Sequence, residues 1–227
     1  MKFFSYESRF SQLLMKLCWC CYLNMLWFVC SLPIVTMGAA TTALYAACFK
    51  IHKEREGSSV ALLFFKAFRD NFKQATVLWL IMLGVGLLLG GDFYILYHLR
   101  ASSTGTVAVF WTLLLAVLIA ACVAYVIVLS YVFPLTASVR NSTWAMLKNS
   151  LLVGTHYLFA TIMVFAVHFV MFFVAVRFFT PILILGEGLC AMVSAWLLQS
   201  VIAAVSYVPD DDEGQEEPAG ETEEDAP

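Results

Sequence analysis

A carboxylate inside an apolar run is costly unless it is paired or put to use. Glu187 stands in such a run, between Gly186 and Gly188 and six residues after Pro181. On a helix that places it roughly 9 Å from the helix start. It can act as a coupling carboxylate, taking up a proton or a cation. It can also pair with Arg177 near the outer interface, and the sequence leaves both readings open. Asn24, Gln199 and Ser200 are the kind of polar residue that hydrogen-bonds between membrane helices or contacts a ligand. His156 and His168 share one apolar segment. Twelve residues apart on a helix, they lie about 120° and about 18 Å from each other, too far to share a metal. Asp92 follows Gly90-Gly91 close to the expected outer end of a span. Arg177, Asn24 and Glu187 therefore form the candidate intramembrane polar site.

Other chemistry is thinly represented. The seven cysteines all lie in apolar runs, and Cys18-Trp19-Cys20-Cys21 has no second pair of metal-like ligands. An odd count in such surroundings argues against a disulfide framework. There is no phosphate-cradling glycine loop, no His-Glu-x-x-His and no nucleophile elbow. The expectation is a protein without enzymatic activity, metal or cofactor. The glycines at 84, 86, 90 and 91 read as close-packing residues of a span, not as a phosphate loop.

The elements that must position these residues follow from composition. Of 227 residues, 62% are hydrophobic and 13% charged, about half the charged share of a soluble domain. Ten acidic residues and no basic one fall in 210–227, leaving a body with 13 Lys and Arg against 6 Asp and Glu. An acidic tail this poor in apolar residues cannot build a core, so 209–227 reads as disordered. The basic body points to the cytoplasmic surface and anionic headgroups of a membrane, not to nucleic acid.

The fold expected is an all-α polytopic membrane bundle over 1–208. Six spans are read at about 12–32, 35–53, 75–97, 106–135, 149–176 and 181–207, with five as the alternative. Pro33 decides between them, because proline ends or kinks a helix and biases Leu32 away from it. With two spans meeting at Pro33, both termini are cytoplasmic, and eleven basic residues lie inside against two outside. With one kinked span the split is eight against five, so the positive-inside rule favours six. A shallow re-entrant turn at Pro33 is a third reading.

Residues 58–74 read as a separate amphipathic helix in the cytoplasmic interface. Phe64, Phe68 and Phe72 recur every four residues, with Lys66, Arg69 and Lys73 on another face. Such a helix can simply join two spans or offer a docking surface.

Two stretches resemble a known family. One runs Asn24-Met25-Leu26-Trp27, then Cys30-Ser31-Leu32-Pro33-Ile34-Val35-Thr36-Met37-Gly38, then Thr41-Thr42-Ala43-Leu44-Tyr45. The other is Phe64-Phe65-Lys66-Ala67-Phe68-Arg69-Asp70-Asn71-Phe72-Lys73-Gln74-Ala75-Thr76. Together they look like the YesL-like family of bacterial integral membrane proteins, over about residues 10–80. The resemblance marks Asn24, Pro33, Thr36, Gly38, Phe68, Asn71 and Phe72 as signature positions. It implies a multi-pass protein of the bacterial cell membrane linked to carbohydrate uptake, with membrane lipids and ABC transporter permease subunits as partners. It carries no catalytic roles. The functional expectation is a non-enzymatic accessory protein of such an importer. The alternatives are a small-solute transporter or channel, and a structural or membrane-sensing protein.

Overall fold

A computed structural model describes residues 9–53, 59–177 and 181–206, with side chains over 14–52, 59–177 and 186–205. The expected tail and the segments 1–8 and 54–58 lie outside the described residues. Among the described residues there are seven α-helices and no strand: α1 (Arg9–Ser31), α2 (Met37–Lys53), α3 (Val60–Ser102), α4 (Gly105–Ser138), α5 (Thr143–His156), α6 (Leu158–Arg177) and α7 (Pro181–Ser206). Six of them, all but α5, are long and apolar enough to cross a membrane. The chain is thus an all-α bundle with six candidate spans.

The break at Pro33 is a turn between two helices. After α1 the chain makes one 3-10 turn, Ile34–Thr36, and α2 folds back along α1. Pro33 supplies the extended residue, with φ −76° and ψ 113°. The Thr36 hydroxyl lies 2.6 Å from the Cys30 carbonyl and 2.8 Å from that of Pro33, covering oxygens that the ended helix leaves over. Across the hairpin the Trp27 indole donates to Thr41 Oγ1 at 3.0 Å. On one continuous helix these residues would be roughly 21 Å apart.

The expected helix 58–74 is not a separate element. It is the first part of α3, which runs unbroken for 43 residues, about 64 Å. No proline interrupts this stretch, and α2 packs along its first half. The aromatic stripe therefore does not simply face lipid. Phe64 is fully buried in the core, Phe68 stacks on it, and only Phe72 emerges.

The expected span 149–176 is also divided. Tyr157 leaves the helical conformation with φ −102° and ψ 53°. The Thr161 hydroxyl reaches the Gly154 carbonyl at 2.7 Å and the Tyr131 hydroxyl of α4 at 3.0 Å. That side chain takes over an oxygen the helix ladder would have used, so α6 alone is the apolar span.

The core gathers where α1, α2, the first half of α3 and the end of α4 meet α7. Ala39, Ala40, Ala43 and Ala47 of α2 are fully buried. Small side chains let helix backbones approach closely, which is what drives association in lipid. Beyond Met82, by contrast, α3 has no buried residue, and it meets α4 as an extended hairpin. Its far turn is tight: Gly105 takes φ +64°, a left-handed conformation suited to glycine.

Candidate functional site

Four helices bring polar side chains together in the bundle. Asn24 of α1 is 0% exposed, and its Oδ1 accepts the Gly188 N–H of α7 at 2.7 Å. That bond needs α1 and α7 in close contact. A Cβ on Gly188 would lie 2.7 Å from Asn24 Cβ and 2.9 Å from the Cys20 carbonyl oxygen. Glu187, partly buried, is the next residue along α7.

Glu187 does not have the partner expected from the sequence. Arg177 is exposed in the last turn of α6, and the ionisable side chain within electrostatic reach of Glu187 is His168, midway along the same helix. The physical reason is helix pairing. α6 and α7 run side by side, with Gly186 at the start of α7 against Met171, so the middle of α6 and not its last turn lies near Glu187, while Arg177 is exposed. The His168 ring places Nδ1 2.9 Å from the Val164 carbonyl. As donor there, Nδ1 leaves Nε2 as the acceptor in the neutral ring.

From α2, Tyr45 reaches into the same region. Its hydroxyl faces Ser194 and lies within electrostatic reach of Glu187. Ser194 Oγ is fully buried and, among the described residues, has no partner at hydrogen-bonding geometry. His52 Nε2 sits 3.1 Å from the Met192 carbonyl, tying the end of α2 to α7. The buried thiols of Cys20, Cys48 and Cys190 border the cluster. Among the described residues, no three His, Cys, Asp or Glu side chains converge to hold a metal ion.

This arrangement offers a carboxyl, an imidazole, a phenol and an alcohol in apolar surroundings. Such groups can pass a proton, bind a small cation or lock helices together. No nucleophile with an oriented base is among them. The groove beside the cluster, between α6 and α7, holds about 720 Å³. It is lined by apolar side chains and Gly186.

The remaining sequence candidates fall elsewhere. Pro33 and Thr36 build the hairpin turn. Gly38 lets α2 touch α3: a Cβ there would lie 2.6 Å from the Ala75 carbonyl and collide with Trp79. Trp79 also donates its indole N–H to the Ile34 carbonyl at 2.7 Å, holding the hairpin tip. Lys66, Arg69 and Lys73 are exposed on α3. Asn71 is partly buried and donates to the Ala67 carbonyl at 3.0 Å. Asp92 and His156 are exposed, Gln199 is partly buried and Ser200 exposed. Of the four glycines on the third span, only Gly86 meets a neighbour, Tyr125, while nothing lies within 4 Å of a Cβ on Gly84, Gly90 or Gly91.

A second polar region lies where α2 ends and α4 turns into α5. Lys50, Lys66, Asp70, Asn71 and Arg140 surround a groove of about 310 Å³. The sequence reading missed Tyr45, Ser194, Lys50, Asp70 and Arg140 as site residues. Nothing local distinguishes them, because each matters only through a partner on another helix.

A family model matches residues 20–93. Its description is Protein of unknown function, DUF624. The match covers the second half of α1, the hairpin, α2 and α3 as far as Phe93, and stops short of the helices that carry His168 and Glu187. No curated protein and no solved structure matches the chain.

Proposed function

We propose that this protein is a non-enzymatic accessory or regulatory partner of a bacterial carbohydrate ABC uptake system, of the YesL-like kind, working in the plasma membrane with both termini cytoplasmic. The observation that carries this reading is where the family match falls. Residues 20–93 take in the α1–α2 hairpin and the charged base of α3, and leave out α7 with Glu187. A shared segment built on a hairpin and a charged helix base suits a protein that binds other membrane components. The wholly apolar groove beside Glu187 supports the same reading, since a solute pathway needs polar lining.

The deciding experiment is a mild-detergent pull-down from the native host read by mass spectrometry. ABC permease subunits should be enriched over other membrane proteins of equal abundance. Recovery of the protein without them sinks the reading. The orientation has its own check. On a Cys-free background, an impermeant thiol reagent applied outside should label positions 103 and 177 and miss position 56 and both termini.

A second reading, a small-solute transporter, is favoured by one observation. Ser194 Oγ is buried facing the Tyr45 hydroxyl, with no partner at hydrogen-bonding geometry among the described residues. A buried hydroxyl left open is a place for a ligand or water. Under this reading Glu187→Gln abolishes solute flux in proteoliposomes with folded yield intact. Under the accessory reading no flux is measured for either form.

A further inference from the structure

We propose that the groove between α2, α3 and the end of α4 is a binding site for the phosphoglycerol headgroup of an anionic phospholipid. This inference is independent of the importer reading.

The groove is a built feature. The end of α4 from Thr136, with Val139 after it, lines the groove together with Lys50 of α2 and the α3 turn carrying Lys66, Asp70 and Asn71. Arg140 follows directly, and its neighbour is fixed: the Gln74 amide donates to the Asn141 carbonyl at 2.6 Å, tying the α4–α5 turn to α3. Among the described residues, three cations from three elements thus border one cavity with one carboxylate, Asp70. Lysine ammonium and arginine guanidinium are the side chains that hold phosphate oxygens. A plain phosphate site would have no use for Asp70. Asp70, together with the Asn71 oxygen that remains after its N–H is given to Ala67, supplies acceptors for hydroxyl groups. Cations for a phosphodiester beside acceptors for hydroxyls match phosphoglycerol.

The surroundings select the lipid over a free phosphate ester. Val77 and Ile81, two and three turns past Asp70 on the membrane side of the groove, are 47% and 39% exposed on the same face of α3. An acyl chain covers such a face, and a water-soluble ester does not. Basic pockets between membrane helices at the cytoplasmic surface are the ordinary setting for anionic headgroups.

The test uses full-length protein in mild detergent, titrated with phosphatidylglycerol or phosphatidylcholine and read by native mass spectrometry. Wild type should retain one phosphatidylglycerol at least ten-fold more tightly than phosphatidylcholine. Lys66→Gln with Arg140→Gln should remove that preference, Lys66→Gln alone should weaken it, and Arg100→Gln at the far end of α3 should leave it intact. Lys66 and Arg140 are exposed, so the melting temperature in phosphatidylcholine should not change. Glycerol 3-phosphate at millimolar concentration should fail to displace the lipid. Equal retention of the two lipids, or an unaltered preference in the double variant, overturns the proposal. Displacement by glycerol 3-phosphate overturns the lipid assignment in favour of a soluble ester. A preference that appears only after deletion of 209–227 places the acidic tail in the groove instead, and also overturns it.

Discussion

Gly38 and Gly90 both sit on long apolar helices, and the two sites are opposites. A side chain at Gly38 meets the Ala75 carbonyl, Trp79 and Phe133, whereas one at Gly90 meets nothing within 4 Å. The first belongs to the compact half of the molecule, where α2 is walled by buried alanines. The second belongs to the α3–α4 hairpin, where Leu87 and Leu88 are each 70% exposed. Both halves are built mainly of apolar side chains. The difference teaches that in lipid, apolarity says nothing about which surface touches protein, since a lipid tail is as good a neighbour as a leucine. Close contact is marked instead by small residues that have something to approach.

This contrast can be broken by paired substitutions. The largest effect is expected for Gly38→Leu, which should cost more than about 3 kcal/mol, beyond the usual range for overpacking because one of the clashing groups is backbone. Gly90→Leu should stay within about 0.5 kcal/mol, as exposed sites do. Folded yield by fluorescence-detected size exclusion separates them, and equal losses would end the distinction between the halves. Next comes Asn24→Leu, which removes the acceptor of the Gly188 N–H and leaves the α1–α7 contact without its polar anchor, at a cost of about 2 kcal/mol. A drop in detergent melting temperature reports it. Trp79→Phe keeps the ring against Phe133 but frees the Ile34 carbonyl, costing about 1 kcal/mol. Increased protease or thiol-reagent access at the hairpin tip measures that loosening. The smallest effect is expected at the distal turn, where Arg100 bonds Thr112 in full exposure. Arg100→Gln should shift the melting temperature by no more than the equivalent of about 0.5 kcal/mol.

The hairpin was readable because proline forces the issue: Pro33 interrupts an apolar run too long for one span, and Thr36 and Gly38 follow it. The continuity of α3 was hidden by its charges. Lys66, Arg69, Asp70 and Lys73 look like the end of a membrane segment, yet no residue between Ser59 and Ser102 must stop a helix. The absence of proline there was the available signal. The division at Tyr157 gave no such signal, since it depends on Thr161 finding Tyr131 on another helix. The site was half visible. Asn24 and Glu187 stand out as polar residues in apolar runs, but Asn24 meets Gly188 across 164 positions of chain, and His168 replaces the sequence-near Arg177 as the neighbour of Glu187. Helix pairing sets both, and hydropathy does not encode it.

The uneven grip on α3 has a mechanical consequence. Its first half is clamped by α2 and the hairpin tip, while the part past Met82 is paired with α4 and forms an arm of about 30 Å at 1.5 Å per residue. A tilt of about 10° at the clamp would sweep the far turn sideways by roughly 5 Å, and a bilayer that thickens or thins imposes tilts of this order on a long helix. The helix is therefore a lever with its fulcrum near Trp79. Whatever loads one arm, be it membrane thickness at the far turn or an occupant at the charged base, is felt as displacement at the other.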